Sequence, residues 1–204
     1  MKAPCEESAA AMADACRILS GCVHLPTPDL VESLGDGSLA TSVRALLPWI
    51  ACDDVARERV EARLAACEAH APETTLPMLR KDYTRLFAHP TAPLAPILES
   101  QFESERRGEE KPLLVVNRLA LALDDEYRAA GYARSNGGVV PSDHLGTELV
   151  FLALLLDARS SRAASFVERH LGIWAPRVFS IVEQRAETPL YALVGGLGLA
   201  CFPA

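Results

Sequence analysis

The sequence predicts an all-α fold, a single helical-bundle domain of about nine to ten helices with a proline-rich internal hinge. Three observations predict it. Apolar residues recur at helical spacing in almost every segment. No stretch alternates apolar and polar residues as a half-buried strand would. Hydrophobic residues make up 50% of the 204, enough to bury one sizeable core. The domain is expected to span 1–204, as an N-terminal half over 1–90, a hinge at about 89–100 and a C-terminal half over 101–204.

A first helix covers residues 6 to 23, where Pro26 and Pro28 interrupt it, and Thr27 or Asp29 can cap a short second helix toward Leu34. LGDGS, 34 to 38, is a turn, followed by a third helix from about Leu39 to Ala51. Asp53 or Asp54 can cap a fourth helix running to about His70. In it Ala56, Val60, Leu64 and Cys67 form an apolar stripe, and Arg57, Glu58, Arg59, Glu61 and Arg63 make a solvated face. A fifth helix covers about Thr75 to Ala88.

HPTAPLAPILES, 89 to 100, then places three prolines in seven residues, each removing a backbone donor that a continuing helix needs. Beyond this hinge comes an acidic patch at Glu99, Glu103, Glu105, Glu109 and Glu110. A long helix from about Pro112 to Tyr132 follows, with Val116, Leu119, Leu123 and Tyr127 on one stripe. The loop RSNGGVVP, 134 to 141, leads to PSDHLGTELVFLALLLD, a polar knot at the mouth of an apolar helix. Past Asp157 two helices are expected, broken near Gly172 to Pro176, and a last one starts at Thr188 or Pro189.

The charge balance, 20 Lys and Arg against 27 Asp and Glu, gives a formal −7, which repels nucleic acid and anionic lipid and suits a cationic peptide. The N-terminus lacks a basic region leading into an apolar one, and no apolar run reaches the roughly 18 to 20 residues of a membrane span, so a cytoplasmic protein without stable membrane insertion is expected. Cys5, Cys16, Cys22, Cys52, Cys67 and Cys201 show no C-x-x-C pair and read as buried reduced thiols rather than a metal or redox site.

If the knot's helix begins at Ser142 or Asp143, either side chain caps it after Pro141. His144 and Glu148 then share one face, and Leu145, Leu149, Leu152 and Leu156 share the core face. Gly146 costs about 1 kcal/mol of helix propensity relative to alanine, which close approach of another backbone, such as a bound peptide, would offset. The plainer alternative is that Asp143 caps, His144 bonds locally and Glu148 is solvated.

Several stretches together resemble the TorD/DmsD family of cytoplasmic redox-enzyme maturation chaperones. Asp82 and Tyr83-Thr84-Arg85-Leu86-Phe87 fit its aromatic-x-x-Leu-Phe motif, and Pro141-Ser142-Asp143-His144 its Pro-x-Asp-His motif. Glu148-Leu149-Val150-Phe151-Leu152 resembles the Glu-Leu-x-Phe continuation, FVERHLGIWAPRV (166 to 178) the His-Leu-x-x-Trp-x-Pro segment, and EYRAAGY (126 to 132) the end of the preceding helix. The matches run in order over roughly residues 80 to 202.

The resemblance implies a chaperone that binds the twin-arginine signal peptide of a molybdenum-containing oxidoreductase subunit. It would hold that apo subunit back from export until its cofactor is inserted, with no enzymatic activity and no cofactor or metal of its own. The implied peptide-binding residues are Tyr83, Leu86, Phe87, Pro141, Asp143, His144, Gly146 and Glu148.

Physical chemistry is compatible with this. An apolar trough suits the leader's stretch of about 7 to 15 apolar residues, and Asp143 and Glu148 at its mouth can face the arginines. His144, at a reference pKa near 6.5, would add pH sensitivity. Tyr83 and Phe87 share a helix face, with Asp82 and Arg85 expected on the exposed side. A helical scaffold or oligomerisation module, or a cryptic helical hydrolase, are the alternatives; the chain lacks an H-E-x-x-H pair, a G-x-S-x-G elbow and a Walker loop. The oligomer is expected to be a monomer or a dimer that swaps helical halves at the hinge.

Overall fold

The computed structural model describes residues 6–50, 53–90, 93–108, 117–133 and 140–203. Among these, eleven α-helices and no strand are found: α1 (Glu6–Cys22), α2 (Pro28–Gly35), α3 (Ser38–Ile50), α4 (Asp54–His70), α5 (Leu76–Tyr83), α6 (Glu99–Arg107), α7 (Arg118–Ala129), α8 (Leu145–Asp157), α9 (Arg162–Arg169), α10 (Leu171–Arg185) and α11 (Pro189–Cys201). The all-α prediction holds.

Local chemistry sets the boundaries. Asp53 caps α4 by accepting from the Ala56 amide at 2.7 Å. Prolines open α2 and α11, where a missing amide proton costs nothing. Gly108, at φ 67, closes α6 in the left-handed region.

Three boundaries depart from the sequence reading. First, α6 was not expected: ESQFESERR has no apolar stripe, and the helix is held instead by what meets its N-terminus and by Glu103 pairing with Arg106 and Arg107. Second, α7 starts at Arg118 because Asn117 turns extended and accepts from the Ala120 amide at 2.9 Å; residues 112–116 of the expected longer helix lie outside the described residues, as do 134–139 of the following loop. Third, the break between α9 and α10 falls at His170, with φ −124 and ψ −96, while Pro176 sits inside α10. Early in a helix, proline forfeits one backbone bond without ending it.

The helices before and after the prolines pack on one another. α1 lies along α8 and also meets α3 and α11, and α11 runs between α10 and α4. α8 and α11 are apolar nearly all round, as central helices must be. Cys16, Cys22, Cys67 and Cys201 are buried free thiols, with burial pushing Cys22 up to about 12; Cys5 and Cys52 lie outside the described residues. Among the described residues no helix is long and apolar enough to cross a membrane.

The glycines of α11 are contact points. A Cβ on Gly195 would lie 2.4 Å from the Glu183 backbone nitrogen, and one on Gly198 2.1 Å from the Phe179 ring. Helices α10 and α11 therefore touch backbone to backbone. Gly195→Ala should cost about 1–3 kcal/mol by prying them apart, lowering the melting temperature by about 3 to 10 °C in a thermal circular-dichroism scan. An unchanged melting temperature would refute the close-contact reading.

Candidate functional site

The knot folds as a junction of three helix N-termini. α8 begins at Leu145, not Ser142 or Asp143, and its N-cap is His144, whose Nδ1 accepts from the Gly146 amide at 3.0 Å. That frees Asp143 to serve a neighbour: its Oδ2 accepts from the Ser100 amide of α6 at 3.3 Å and from Asn117 Nδ2 at 3.2 Å, and Asn117 in turn caps α7. One carboxylate thus faces the positive ends of several helices at once.

The backbone reinforces this. The hinge crosses the junction as a short antiparallel bridge, Leu98 opposite His144, with the Glu99 amide donating to the Asp143 carbonyl at 2.9 Å and the Leu145 amide to the Ile97 carbonyl at 3.0 Å. From α7, Tyr127 Oη donates to the Ser142 carbonyl at 2.7 Å. Half-buried Pro141 offers its carbonyl to Thr147 Oγ1 at 3.1 Å.

Below lies a buried acidic cluster. Glu148 is 0% exposed, and its Oε2 accepts from Trp174 Nε1 of α10 at 3.2 Å. Glu99, on α6, lies beside Glu148 and meets His170 Nδ1 at 2.9 Å. His170 Nε2 faces Glu126 at 3.6 Å, which Arg169 clasps through both oxygens at 2.6 and 2.8 Å. Burial first, then the charges of Glu99 and Asp143, holds the Glu148 carboxyl protonated well above the usual carboxylate range. Glu126 is held low, chiefly by its bonds to Arg169.

Asp143 Oδ1 and Glu148 Oε1 are two of four buried side-chain atoms without a hydrogen-bond partner among the described residues. No group of three or more metal-ligating side chains there could hold a metal ion.

Several expectations about this site are corrected. Asp143 and Glu148 are both 0% exposed and do not stand at a groove mouth. The space over Gly146 is filled by the His24 ring of α1, which a Cβ there would approach to 2.2 Å, while Ser20 Oγ donates to the Gly146 carbonyl at 2.9 Å. His144 stacks on His24 at 4.9 Å between centroids, and burial together with that neighbour lowers its pKa to about 3, far from a physiological switch.

Asp82 is buried rather than exposed, its Oδ2 accepting from the Glu187 and Thr188 amides and Thr188 Oγ1 at 2.8–2.9 Å, so it anchors the start of α11. Arg85 bonds its other oxygen at 2.7 Å. The Tyr83–Phe87 pair, 5.5 Å apart, packs on Tyr191 of α11 away from the knot, in a π-helical turn over 84–88. Buried Leu86 links this turn to the hinge through its carbonyl, which accepts from the Ala95 amide at 2.9 Å.

An apolar groove of about 630 Å³ opens at the other end of α8, lined by Ala9, Met12, Leu152, Leu156, Val167 and Phe202. Ion pairs of Glu6 with Arg159 and of Asp157 with Arg17 bracket it.

The sequence profile of the nitrate reductase delta subunit family matches residues 53–180, more than half of the chain. No curated protein matches the sequence.

Two groups at the junction pull acid stability in opposite directions. His144 stays neutral in the fold down to about pH 3, whereas an unfolded histidine protonates near 6.5. Stability therefore falls as pH drops from 6.5 toward 3, by at most about 1.4 kcal/mol per unit. Glu148 binds its proton more tightly when folded, so its contribution is present below the usual carboxylate range and lost as pH rises above it. His144→Asn, which keeps a capping acceptor, should flatten the acid limb of a melting-temperature profile, and Glu148→Gln should raise the melting temperature at neutral pH. Asp143→Ala should cost about 2–3 kcal/mol by stranding the Ser100 amide and Asn117, read by urea denaturation. Unaltered profiles and midpoints would refute these roles.

Proposed function

The chain belongs to the nitrate reductase delta subunit family, whose members are chaperones of redox-enzyme maturation, and on that premise we propose that it binds the twin-arginine signal peptide of a molybdenum-containing oxidoreductase subunit. In the cytoplasm it would hold the apo subunit back from export until its cofactor is in place.

The observation that supports the peptide reading is the pair of buried carboxyl oxygens, Asp143 Oδ1 and Glu148 Oε1, that meet no donor among the described residues, inside an otherwise well-bonded junction. A buried acceptor left unmet costs about 1–3 kcal/mol. A guanidinium brings five N–H donors in a fork that fits carboxylates, and a positive charge besides.

In the closed form both oxygens are sealed, so arginine reaches them as the hinge lifts from α8. Among the described residues two backbone bonds close the bridge between 97–99 and 143–145, and Pro93 and Pro96 lack amide donors to hold the hinge otherwise. Pro141, His144 and Gly146 shape the fixed side of that opening. Tyr83, Leu86 and Phe87 anchor the hinge's far end through the bond from Ala95. The leader's apolar stretch is accommodated by the groove at the far end of α8, gaining about 25 cal/mol per Å² of hydrocarbon buried, offset by ordering a flexible chain. That balance gives releasable affinity.

Titration calorimetry with a synthetic twin-arginine leader tests this. Binding is expected, weakening as salt is raised and falling by at least about tenfold when both arginines become glutamine or when Asp143→Asn is made. A helical scaffold without this role would give no heat with any leader, and that outcome from folded protein ends the proposal.

A further inference from the structure

We propose that the acidic junction is an exchange site, at which an entering arginine takes the place of the proton on buried Glu148. The inference rests on the leader-binding reading and adds its regulation.

The geometry leaves little choice of how Glu148 is neutralised. It is fully buried on α8, and among the described residues its one hydrogen-bond donor with a fixed proton is Trp174 Nε1 of α10, on Oε2. Its other oxygen, Oε1, has no such donor. Glu99 reaches it from α6, and Asp143, just before α8, adds a second negative charge. From α7 come Tyr127, whose hydroxyl is committed to the Ser142 carbonyl, and Glu126.

The basic side chains nearby are already engaged. His170 and Arg169, at the end of α9, face Glu99 and Glu126. His144 and, from α1, His24 stand against each other on the far side of the knot, and His144 is neutral. Glu99 and Asp143 thus converge on Glu148, while Arg169 is matched to Glu126 and His170 to Glu99. A proton on Glu148 keeps a further negative charge out of the cluster when it is empty.

A guanidinium makes that proton redundant. Its charge and donors stabilise ionised Glu148 against Glu99 and Asp143, so the carboxyl releases H⁺ to solvent as the ion pair forms. No bond other than the O–H is broken. Proton and arginine then compete for one place, and affinity should rise with pH by up to about tenfold per unit until Glu148 is ionised in the free protein. Acidification would favour release of the leader.

The test is calorimetry of a synthetic peptide, two adjacent arginines followed by about ten apolar residues, titrated at one near-neutral pH into the full chain in phosphate and in Tris. These buffers differ in ionisation enthalpy, so the difference in heat counts protons. About one proton released per peptide is expected for the wild type, and close to none for Glu148→Gln, which still binds, more weakly. In the infrared, the band of a protonated buried carboxyl should disappear from the wild type on binding, a readout that needs no variant.

If the wild type binds with identical heat in both buffers, or Glu148→Gln releases the same proton, or the band persists, the exchange is overturned while leader binding stands. If the peptide fails to bind in either buffer, the leader-binding reading itself falls and takes the exchange with it.

Discussion

The fold's centre of gravity is a carboxylate placed where helices begin. The first turn of any helix carries amide protons with no partner inside it and a partial positive charge. Asp143 uses its backbone and side chain to meet those of α6, and through Asn117 it ties in α7, while its neighbour His144 serves α8. Asp82 does the same for α11 from the other side of the proline hinge, binding the Glu187 and Thr188 amides. Each aspartate joins segments far apart in sequence. Burying these anions is tolerable because helix ends surround them, and the helix ends are satisfied because the anions are there.

The acidic cluster beneath Asp143 obeys a second constraint. Along Arg169, Glu126, His170 and Glu99 the partners alternate between cationic or donor groups and carboxylates, so each bond offsets part of the desolvation of the next. Glu148 ends that line with no cation of its own. Trp174 supplies one donor, and a retained proton does the rest. A fully apolar residue would stabilise the core more simply, so the carboxyl is a cost in stability that function has to justify.

How much of this was legible beforehand follows from the physics of each element. Helices α1, α4, α8 and α11 announce themselves through apolar spacing or near-continuous hydrocarbon, because their stability comes from burial. α6 does not, since ESQFESERR is held by tertiary bonds at its N-terminus that no local pattern encodes. The polar character of the knot was readable, but its exposure was not. Asp143 and Glu148 look like surface acids beside Thr147 until Ser100, Asn117 and Trp174 are brought to them from 26 to 43 residues away in the chain. The displaced N-cap matters most: a single step from Asp143 to His144 turned a local cap into a cross-link between helices.

On the proposed function, the proline hinge is the part of the junction that would open. A core built of α1, α8, α10 and α11 packs apolar faces over long contacts and parts only on global unfolding. Among the described residues the strip from 93 to 99 has two prolines, one backbone bond back to Leu86 and two across to the knot. Losing three backbone bonds, each worth about 0.5–1.5 kcal/mol net, is a small fraction of the stability of a domain this size, about 5–15 kcal/mol. Lifting that strip would, on the proposed function, give access to the carboxyls whose donors are incomplete. On the proposed function, a lightly bonded strip stands beside carboxyls whose donors are incomplete, which is the arrangement a site must have if its ligand is to supply the missing partners.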